Sequence, residues 1–358
     1  RERGIRMASK RYNKDGWVDM SRIFDNGIPW NLLIGGRQIG KTYGAITELF
    51  KRKPFFLFLR RTQDEVEAIQ DPELDPFRAP NTDYAKKNPN WLPWKMFRLN
   101  KHVWGIYPAQ LDDDGAWKIA GEQVGLAASV NTFAKVRGFS ARQITHIIYD
   151  EFIPEPHVRR FRKEGSAFFN IYESINSNRE LQGEPPVKVI CLANANTIAN
   201  PLMMELGIVE KADRLEQRGL HSFCTKDLYY CNYSDSPKSA QKVDTVLYRL
   251  TRGTEFSRMA LQSSFSGDER GAIVSKDLRE YKPVVIAGEI EIYQHKKRPE
   301  LYVTMHKSGS CPEYLPGEIN FARVRRMYNL LDPYMQGRML FETFTCELYF
   351  REVLGMGI

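Results

Sequence analysis

Short and nearly continuous apolar runs recur through the first half of the chain. Runs of this kind are typical of parallel strands buried on both faces, whereas half-exposed antiparallel strands alternate apolar and polar residues. Helix-like stretches separate the runs, at 43–51, 63–70 and 167–175. We therefore predict an α/β domain with a mainly parallel sheet. The predicted strands are 32–34, 55–59, 124–130, 144–150 and 187–192.

The pattern changes in the second half of the chain. Residues 205–275 are polar and short-patterned, which predicts a linker followed by a small subdomain. Strand signals return at 283–292 and 301–305, and helical patterns follow at about 319–331 and 334–349. The predicted parts are a first domain over 1–205, a linker or lid subdomain over 206–275 and a C-terminal domain over 276–358.

The composition is typical of a soluble globular protein, with 42% hydrophobic and 27% charged residues. No apolar run approaches the ~20 residues of a membrane-spanning helix, so we expect no membrane partner. The five cysteines form no C-x-x-C pair, which favours reduced thiols in a cytoplasm. A net charge of +8 and a pI near 9.1 favour a polyanionic partner.

A complete phosphate-binding loop follows the first predicted strand. Gly35, four residues, Gly40, Lys41 and Thr42 match the pattern in full. Its glycines let backbone N–H groups surround phosphate oxygens, and the helix after it adds further N–H donors. The lysine bridges phosphates and the threonine hydroxyl holds Mg²⁺. This pattern predicts ATP and Mg²⁺ as cofactors, bound by Gly35, Gly36, Arg37, Gln38, Ile39, Gly40, Lys41 and Thr42.

A pair of carboxylates ends the predicted strand 144–150. Asp150 is expected to hold Mg²⁺ through water, and Glu151 to polarise the water that attacks the γ-phosphate. The second acid favours hydrolysis, because a kinase passes the phosphoryl group to a substrate hydroxyl.

Polar residues also end two other predicted strands. Asn194 is a candidate for contacting the attacking water or the γ-phosphate, and a turn-forming asparagine is the alternative. Arg60 and Arg61 are placed to point toward phosphates or to be solvated at a strand end.

These residues resemble the DNA-packaging ATPases of tailed bacteriophages, of the compact φ29 type. The resemblance is good over about 30–260 and faint beyond. It rests on 34–42 (IGGRQIGKT), 58–61 (FLRR), 147–153 (IIYDEFI), 178–180 (NRE), 191–195 (CLANA) with 200–201 (NP), and 253–259 (GTEFSRM).

The resemblance implies an ASCE-type (additional-strand, catalytic-glutamate) P-loop ATPase domain, a helical linker and a small C-terminal α+β domain of RNase H-like fold. It also implies a homo-oligomeric ring, expected to be a pentamer, docked at the portal of a viral procapsid. Such a ring drives double-stranded DNA through its pore by ATP hydrolysis. The expected location is the cytoplasm of the infected bacterium, transiently at the portal vertex. Whether a packaging RNA mediates docking stays open.

The resemblance also assigns residues that act between subunits. An arginine inside the phosphate loop is usual in the family and fits Arg37. Family members supply an arginine finger, and some a lysine, from the neighbouring subunit. Arg179 is the expected finger, with Ser177 at a neighbouring candidate position, and Lys135 or Arg137 is the second trans-acting residue.

A metal nuclease is common at the C-terminus of larger terminase subunits, and it needs a first-strand Asp and further carboxylates. The candidate first strand here, 286–292, carries Glu289 and Glu291, without a convincing second and third acid after it. The φ29 type packages unit-length genomes and needs no cutting. We therefore predict an inactive nuclease-like domain used for docking or nucleic-acid binding.

Three alternatives remain beside the packaging ATPase. The first is a terminase whose C-terminal nuclease is active. The second is a nucleotide or small-molecule kinase built on a phosphate loop, which leaves Glu151, Asn194 and the basic surplus unexplained. The third is a non-catalytic nucleic-acid-binding or scaffold protein that keeps a nucleotide fold.

Overall fold

The computed structural model describes residues 11–133, 141–154, 163–198, 200–254, 257 and 270–356. So far as it is described, the chain forms two compact units. The first combines Arg1–Glu155, Ser166–Asn196 and Gly219–Ser266, and the second combines Pro156–Gly165, Thr197–Arg218 and Gly267–Ile358.

A ten-stranded sheet organises the first unit. Its order is β3-β4-β6-β2-β7-β8-β1-β10-β9, with β5 paired to β4. All neighbours from β6 through β10 in this order are parallel, and the edges are antiparallel. This confirms the predicted α/β class with a mainly parallel sheet. The strands are β1 (Trp30–Gly35), β2 (Phe56–Arg60), β3 (Trp94–Arg98), β4 (Val103–Leu111), β5 (Trp117–Ile119), β6 (Gly125–Ser129), β7 (His146–Asp150), β8 (Lys188–Asn194), β9 (Ser222–Cys224) and β10 (Leu228–Tyr233).

The helices are amphipathic or short. Their bounds are α1 (Met20–Asp25), α2 (Lys41–Arg52), α3 (Gln63–Ala68), α4 (Arg78–Lys87), α5 (Val130–Phe133), α6 (Glu164–Asn176), α7 (Pro201–Glu205), α8 (Val209–Gln217), α9 (Pro237–Lys242), α10 (Val246–Leu250), α11 (Glu318–Met327), α12 (Leu331–Met335) and α13 (Phe344–Leu354).

Helices cover both faces of the large sheet. Leu33 of β1 shares one apolar core with Phe50 of α2, and the Phe50 ring centroid lies 4.8 Å from that of Trp94. Trp30 lies three residues before Leu33 and therefore faces the other side of the strand. Its ring centroid is 4.7 Å from that of Tyr172 in α6. Burial on both faces explains why the central strands read as continuous apolar runs.

The division into units differs from the predicted boundaries at 205 and 275. Strand β10 lies inside the predicted linker, yet it pairs in parallel with β1 and belongs to the first unit. Residues 197–218, with α7 and α8, belong to the second unit.

The second unit has a five-stranded mixed sheet with order β14-β11-β12-β13-β15. This confirms a small C-terminal α+β unit, and its assignment to the RNase H-like fold stays a prediction. The strands are β11 (Tyr281–Ala287), β12 (Ile290–His295), β13 (Leu301–Thr304), β14 (Glu313–Tyr314) and β15 (Met339–Phe341).

Two predicted elements of this unit are wrong. The strand expected over 283–292 is an antiparallel hairpin, because Gly288 adopts a φ of +60° and turns the chain between β11 and β12. The helix expected over 334–349 is interrupted by β15, which pairs with β13. Within the described part of the chain, no helix has the length and apolar character needed to cross a membrane.

Candidate functional site: a phosphate loop facing a carboxylate pair

The phosphate loop joins β1 to α2 through a left-handed backbone. Gln38 and Gly40 have φ values of +58° and +90°. A side chain at Gly40 would be strained in this conformation, and its Cβ would lie 3.3 Å from the Trp17 ring. Gly35 is constrained by space, because a Cβ there would lie 2.6 Å from the Ile39 side chain. The glycines therefore allow the close turn that the loop needs.

Lys41 begins α2 and turns back over the loop. Its Nζ donates to the carbonyl oxygens of Gly35 at 3.0 Å and Gly36 at 2.8 Å. The same Nζ lies 3.5 Å from Oδ1 of Asn194. Burial lowers the pKa of Lys41 to about 7, and the nearby carboxylates of Asp150 and Glu151 oppose that shift. The lysine is thus held at the centre of the loop in an environment that opposes its charge.

Thr42 connects the loop to the carboxylate pair. Its hydroxyl donates to Oδ1 of Asp150 at 2.8 Å. Strand β8 separates β7 from β1 in the sheet, so the two residues meet only because both strands end at the same edge. Burial raises the pKa of Asp150, while Arg60 acts to lower it.

Arg60, at the end of β2, binds both acids. Its guanidinium lies 3.0 Å from Asp150 and 2.6 Å from Glu151. The sequence analysis expected Arg60 and Arg61 either to point toward phosphates or to be solvated at a strand end, and the structure places Arg60 largely buried at the carboxylate pair. Arg61 is buried, with its guanidinium 3.5 Å from Glu65. The two arginines therefore have different surroundings.

Glu151 follows the last residue of β7 in an unusual conformation. Its φ is +57°, which is uncommon for a residue with a side chain. The side chain is 56% exposed and points to Arg60. Backbone strain of this kind is often found at functional sites, and here it directs a carboxylate out of the sheet edge.

Asn194 ends β8, the strand between β1 and β7. It is paired in register with Gly35, at the start of the phosphate loop. Its amide oxygen faces Lys41. Asn194 therefore lies beside the phosphate loop, and its contact with the attacking water or the γ-phosphate stays a prediction.

Two residues beside the loop were missed by the sequence analysis. Lys242 of α9 donates from Nζ to the backbone oxygens of Arg37 at 2.6 Å and Gln38 at 3.3 Å. Trp17 lies against Gly40, and Nζ of Lys238 is 4.6 Å from the Trp17 ring centroid. No sequence motif marks either contact, because both join segments that are distant in the chain.

Arg179, the predicted arginine finger, is engaged within its own chain, and its role between subunits stays a prediction. The residue is buried, and its guanidinium donates to the backbone oxygens of Arg142 and Ile144, the latter at 3.1 Å. Ile144 precedes β7, so Arg179 lies at the sheet edge opposite to Asp150. In this structure its guanidinium is occupied within its own chain.

The other predicted trans-acting residues, Lys135 and Arg137, lie outside the described residues. Among the residues that are described, no cluster of three or more His, Cys, Asp or Glu side chains is arranged to hold a metal ion. A magnesium ion that also binds phosphate oxygens and water needs fewer protein ligands. The Thr42 hydroxyl and the Asp150 carboxylate are hard oxygen donors, and they fit such an ion.

The candidate nuclease strand 286–292 is split by the hairpin turn at Gly288. Glu289 lies in the turn, and Glu291 is fully buried on β12. The Glu291 carboxylate accepts from the Ser308 hydroxyl at 2.6 Å and from the Cys311 thiol at 3.2 Å. The Ser308 backbone N–H donates to its other oxygen. Glu291 is therefore engaged in fixing the loop that follows β13.

Comparison with solved structures supports the fold. The chain is similar to the Phi-28 gp11 DNA packaging motor, with a TM-score of 0.62, 15% identity, and coverage of 96% of this chain and 98% of that one. It is also similar to a chain of the bacteriophage Phi-29 viral genome packaging motor assembly, with a TM-score of 0.60, 18% identity, and coverage of 95% and 98%.

Sequence comparison identifies the family. The chain is 26% identical over 285 residues to the DNA packaging protein of Bacillus phage phi29, which covers 77% of this chain and 73% of the relative. The family described as Podovirus DNA encapsidation protein (Gp16) matches residues 114–293, half of the chain. The resemblance to φ29-type packaging proteins is confirmed, and the chain belongs to the podovirus DNA encapsidation protein (Gp16) family and is a DNA-packaging protein.

Proposed function

We propose that this chain hydrolyses ATP with Mg²⁺ and uses the reaction to drive double-stranded DNA into a viral procapsid. The observation that carries the proposal is the 2.8 Å hydrogen bond between Thr42 and Asp150. It joins a phosphate loop to an acidic strand end, with Lys41 and Glu151 beside it. This combination has the parts that a phosphoryl-transfer site requires.

The phosphates bind at the loop and at the N-terminus of α2, where backbone N–H groups are available. Lys41 binds the β- and γ-phosphates, and Thr42 and Asp150 would hold the Mg²⁺. When bound, the metal neutralises charge that develops on the phosphate oxygens. Arg37, Gln38 and Ile39 complete the loop around the phosphates.

Glu151 acts as the general base that takes a proton from the attacking water. The ion pair with Arg60 at 2.6 Å fixes the direction of its carboxylate. Asn194 orients the water or the γ-phosphate from the adjacent strand end. Since Arg179 is engaged within its own chain, Lys135 and Arg137 are the remaining candidates for a cation supplied by a neighbouring subunit.

The active assembly is a ring of identical subunits, with five as the expected number, bound at the portal of the procapsid in the host cytoplasm. The two similar solved structures are DNA packaging motors. The net charge of +8 suits a DNA backbone. We expect DNA binding to weaken steeply with salt and to show little sequence preference, because contacts to phosphates carry no sequence information.

Hydrolysis of ATP with and without double-stranded DNA tests the proposal. DNA should stimulate release of inorganic phosphate, without any phosphorylated acceptor. Lys41→Ala and Glu151→Gln should each lower the rate by roughly 10²-fold or more, while Asp113→Asn, an exposed acid on the β4–β5 turn, should not. Unchanged hydrolysis in both site variants would support a non-catalytic protein, and a phosphorylated acceptor would support a kinase.

A further inference from the structure

A hairpin at one edge of the large sheet exposes an apolar face. Strands β4 and β5 form the hairpin, in which Trp117 lies opposite Leu111 and Ile119 lies opposite Ala109. Directly opposed residues of an antiparallel pair lie on the same face of the sheet. The exposed fractions are 56% for Leu111, 41% for Trp117 and 50% for Ile119. This face, which we call the hairpin face, therefore presents three large apolar side chains to solvent.

The hairpin is held in a defined shape by its own contacts. One carboxylate oxygen of Asp112 accepts from the backbone N–H of Ala116 at 2.8 Å, and the other pairs with the Lys118 ammonium at 2.8 Å. The ammonium of Lys95, on the neighbouring strand β3, lies 5.2 Å from the Trp117 ring centroid. A face that is ordered before contact loses less conformational entropy on binding, so the hairpin face suits a binding surface.

A second apolar face lies on helix α10, which follows β10 in the chain. Val246, Leu247 and Leu250 are exposed by 62%, 50% and 80%, whereas Tyr248 of the same helix is buried. Successive residues of an α-helix are about 100° apart around its axis, so Val246 and Leu250 point away from Tyr248. The helix thus packs Tyr248 against its own chain and presents the other three side chains to solvent. We call this surface the α10 face.

The two faces belong to opposite edges of one sheet and carry opposite charge. Strand β4 is second from one edge of the large sheet, and β10 is second from the other. Residues 108–123, around the hairpin face, include four acids and one lysine, a net charge of −3. Residues 237–252, around the α10 face, include two lysines, two arginines and one acid, a net charge of +3. The faces are therefore complementary to each other in charge and alike in apolar character.

Complementarity of this kind favours contact between unlike faces of two copies. Pairing two hairpin faces, or two α10 faces, would bring equal charges together, which is unfavourable. Pairing the hairpin face of one copy with the α10 face of the next brings opposite charges together. Such a heterologous contact leaves one face free on each copy, so it repeats and generates a ring when the rotation between copies closes.

We propose that the hairpin face of one subunit binds the α10 face of a neighbouring copy of this chain. The apolar side chains of the two faces pack together, and Arg249 and Arg252 pair with acids of the hairpin segment such as Asp114 and Glu122. The inference rests on the proposed function, because it assigns the contact to the ring of identical subunits. Stable interfaces have about 20–30 residues a side, so these small faces bind weakly in free solution and are occupied when subunits are held side by side.

Photo-crosslinking of the full chain tests the contact, since irradiation accumulates the product of a weak association. The chain with Ile119→p-benzoylphenylalanine is mixed with an isotopically labelled parent chain, so that crosslinks between copies are identified by mass. It should give a covalent dimer whose crosslinked peptide lies within 237–252. The same photo-reactive residue at Leu181, which is 87% exposed and outside both faces, should give several-fold less dimer. A yield no higher than that of the Leu181 control, or crosslinks that map outside 237–252, would overturn the inference.

Charge reversal tests the pairing of the two faces. A labelled chain with Arg249→Glu and Arg252→Glu should lower the dimer yield roughly fivefold, the combined effect of losing two exposed ion pairs. Adding Asp114→Lys and Glu122→Lys to the photo-reactive chain should restore the yield with this labelled chain and lower it with the parent chain. The melting temperatures of the variants show that they are folded. An unchanged yield in the first mixture, or no recovery in the second, would contradict the pairing of these faces.

ATP hydrolysis by the parent chain separates this inference from the proposed function. Hydrolysis that is stimulated by DNA, together with crosslinks that do not reach residues 237–252, would overturn the interface and leave the proposed function intact. A parent chain that does not hydrolyse ATP would overturn the proposed function whatever the crosslinks show.

Discussion

At the scale of single residues, Lys41 is in an environment that opposes its own charge. Burial lowers its pKa to about 7, so most of these side chains are neutral at pH 8. A bound triphosphate supplies opposite charge and raises the pKa. ATP binding should therefore take up close to one proton at pH 8 and almost none at pH 6, where the lysine is already charged.

Calorimetry of ATP binding in two buffers with different ionisation enthalpies measures this proton uptake. The Lys51→Met variant, changed at a half-exposed lysine of the same helix, should behave as the parent chain does. Identical binding enthalpies in both buffers at pH 8 would show that Lys41 does not change its protonation.

The family motif suggests that Arg179 acts between subunits, whereas its contacts in this structure suggest that it stabilises its own chain. Its guanidinium satisfies the backbone oxygens of Arg142 and Ile144, so Arg179→Ala leaves both without this charged donor. The loss should be on the order of 2 kcal/mol of unfolding free energy. Denaturant unfolding of the full chain measures it, with Arg142→Ala, 70% exposed, as the near-neutral control.

Mixed rings distinguish this structural role from a role in trans. On the structural role, rings of Arg179→Ala subunits alone should keep ATPase activity, and adding Glu151→Gln subunits should lower it in proportion. Inactive Arg179→Ala rings that gain activity when mixed with Glu151→Gln subunits, together with unchanged stability of Arg179→Ala, would establish the arginine finger.

At the scale of elements, local signals were sufficient for half of the ten strands of the large sheet. Apolar runs predicted β1, β2, β6, β7 and β8, and polar residues that end β2, β7 and β8 indicated where the candidate site lies. The glycine turn at Gly288 had a signal as well, Gly-Glu between two apolar runs, but the runs were merged. Contacts such as Lys242 on Arg37 and Gln38 depend on long-range packing, and single-sequence patterns do not contain them.

Strand β10 shows the same limit, and it leads to a prediction. Its place in the sheet comes from parallel pairing with β1, about two hundred residues earlier in the chain. A fragment of residues 11–218 lacks this partner, so β1 becomes an exposed apolar edge that favours aggregation. A fragment of residues 11–254 keeps the partner. Size-exclusion chromatography should show aggregates for the first fragment and monomers for the second, and a soluble, folded 11–218 fragment would contradict β10 as a required strand.

At the scale of the whole molecule, the question is whether the protein also cuts the DNA that it packages. Glu291 is the acid that best fitted a nuclease strand. Its carboxylate oxygens already accept hydrogen bonds from Ser308 and Cys311 in the second unit, so they are not available to bind a metal ion. We expect the full chain to leave supercoiled and linear DNA intact in Mg²⁺ or Mn²⁺. Glu291→Gln should lower thermal stability, since Ser308 and Cys311 lose a carboxylate acceptor, while Glu289→Gln in the exposed turn should not. DNA cleavage by the parent chain that is abolished in Glu291→Ala would instead establish an active nuclease and make the chain a cutting terminase.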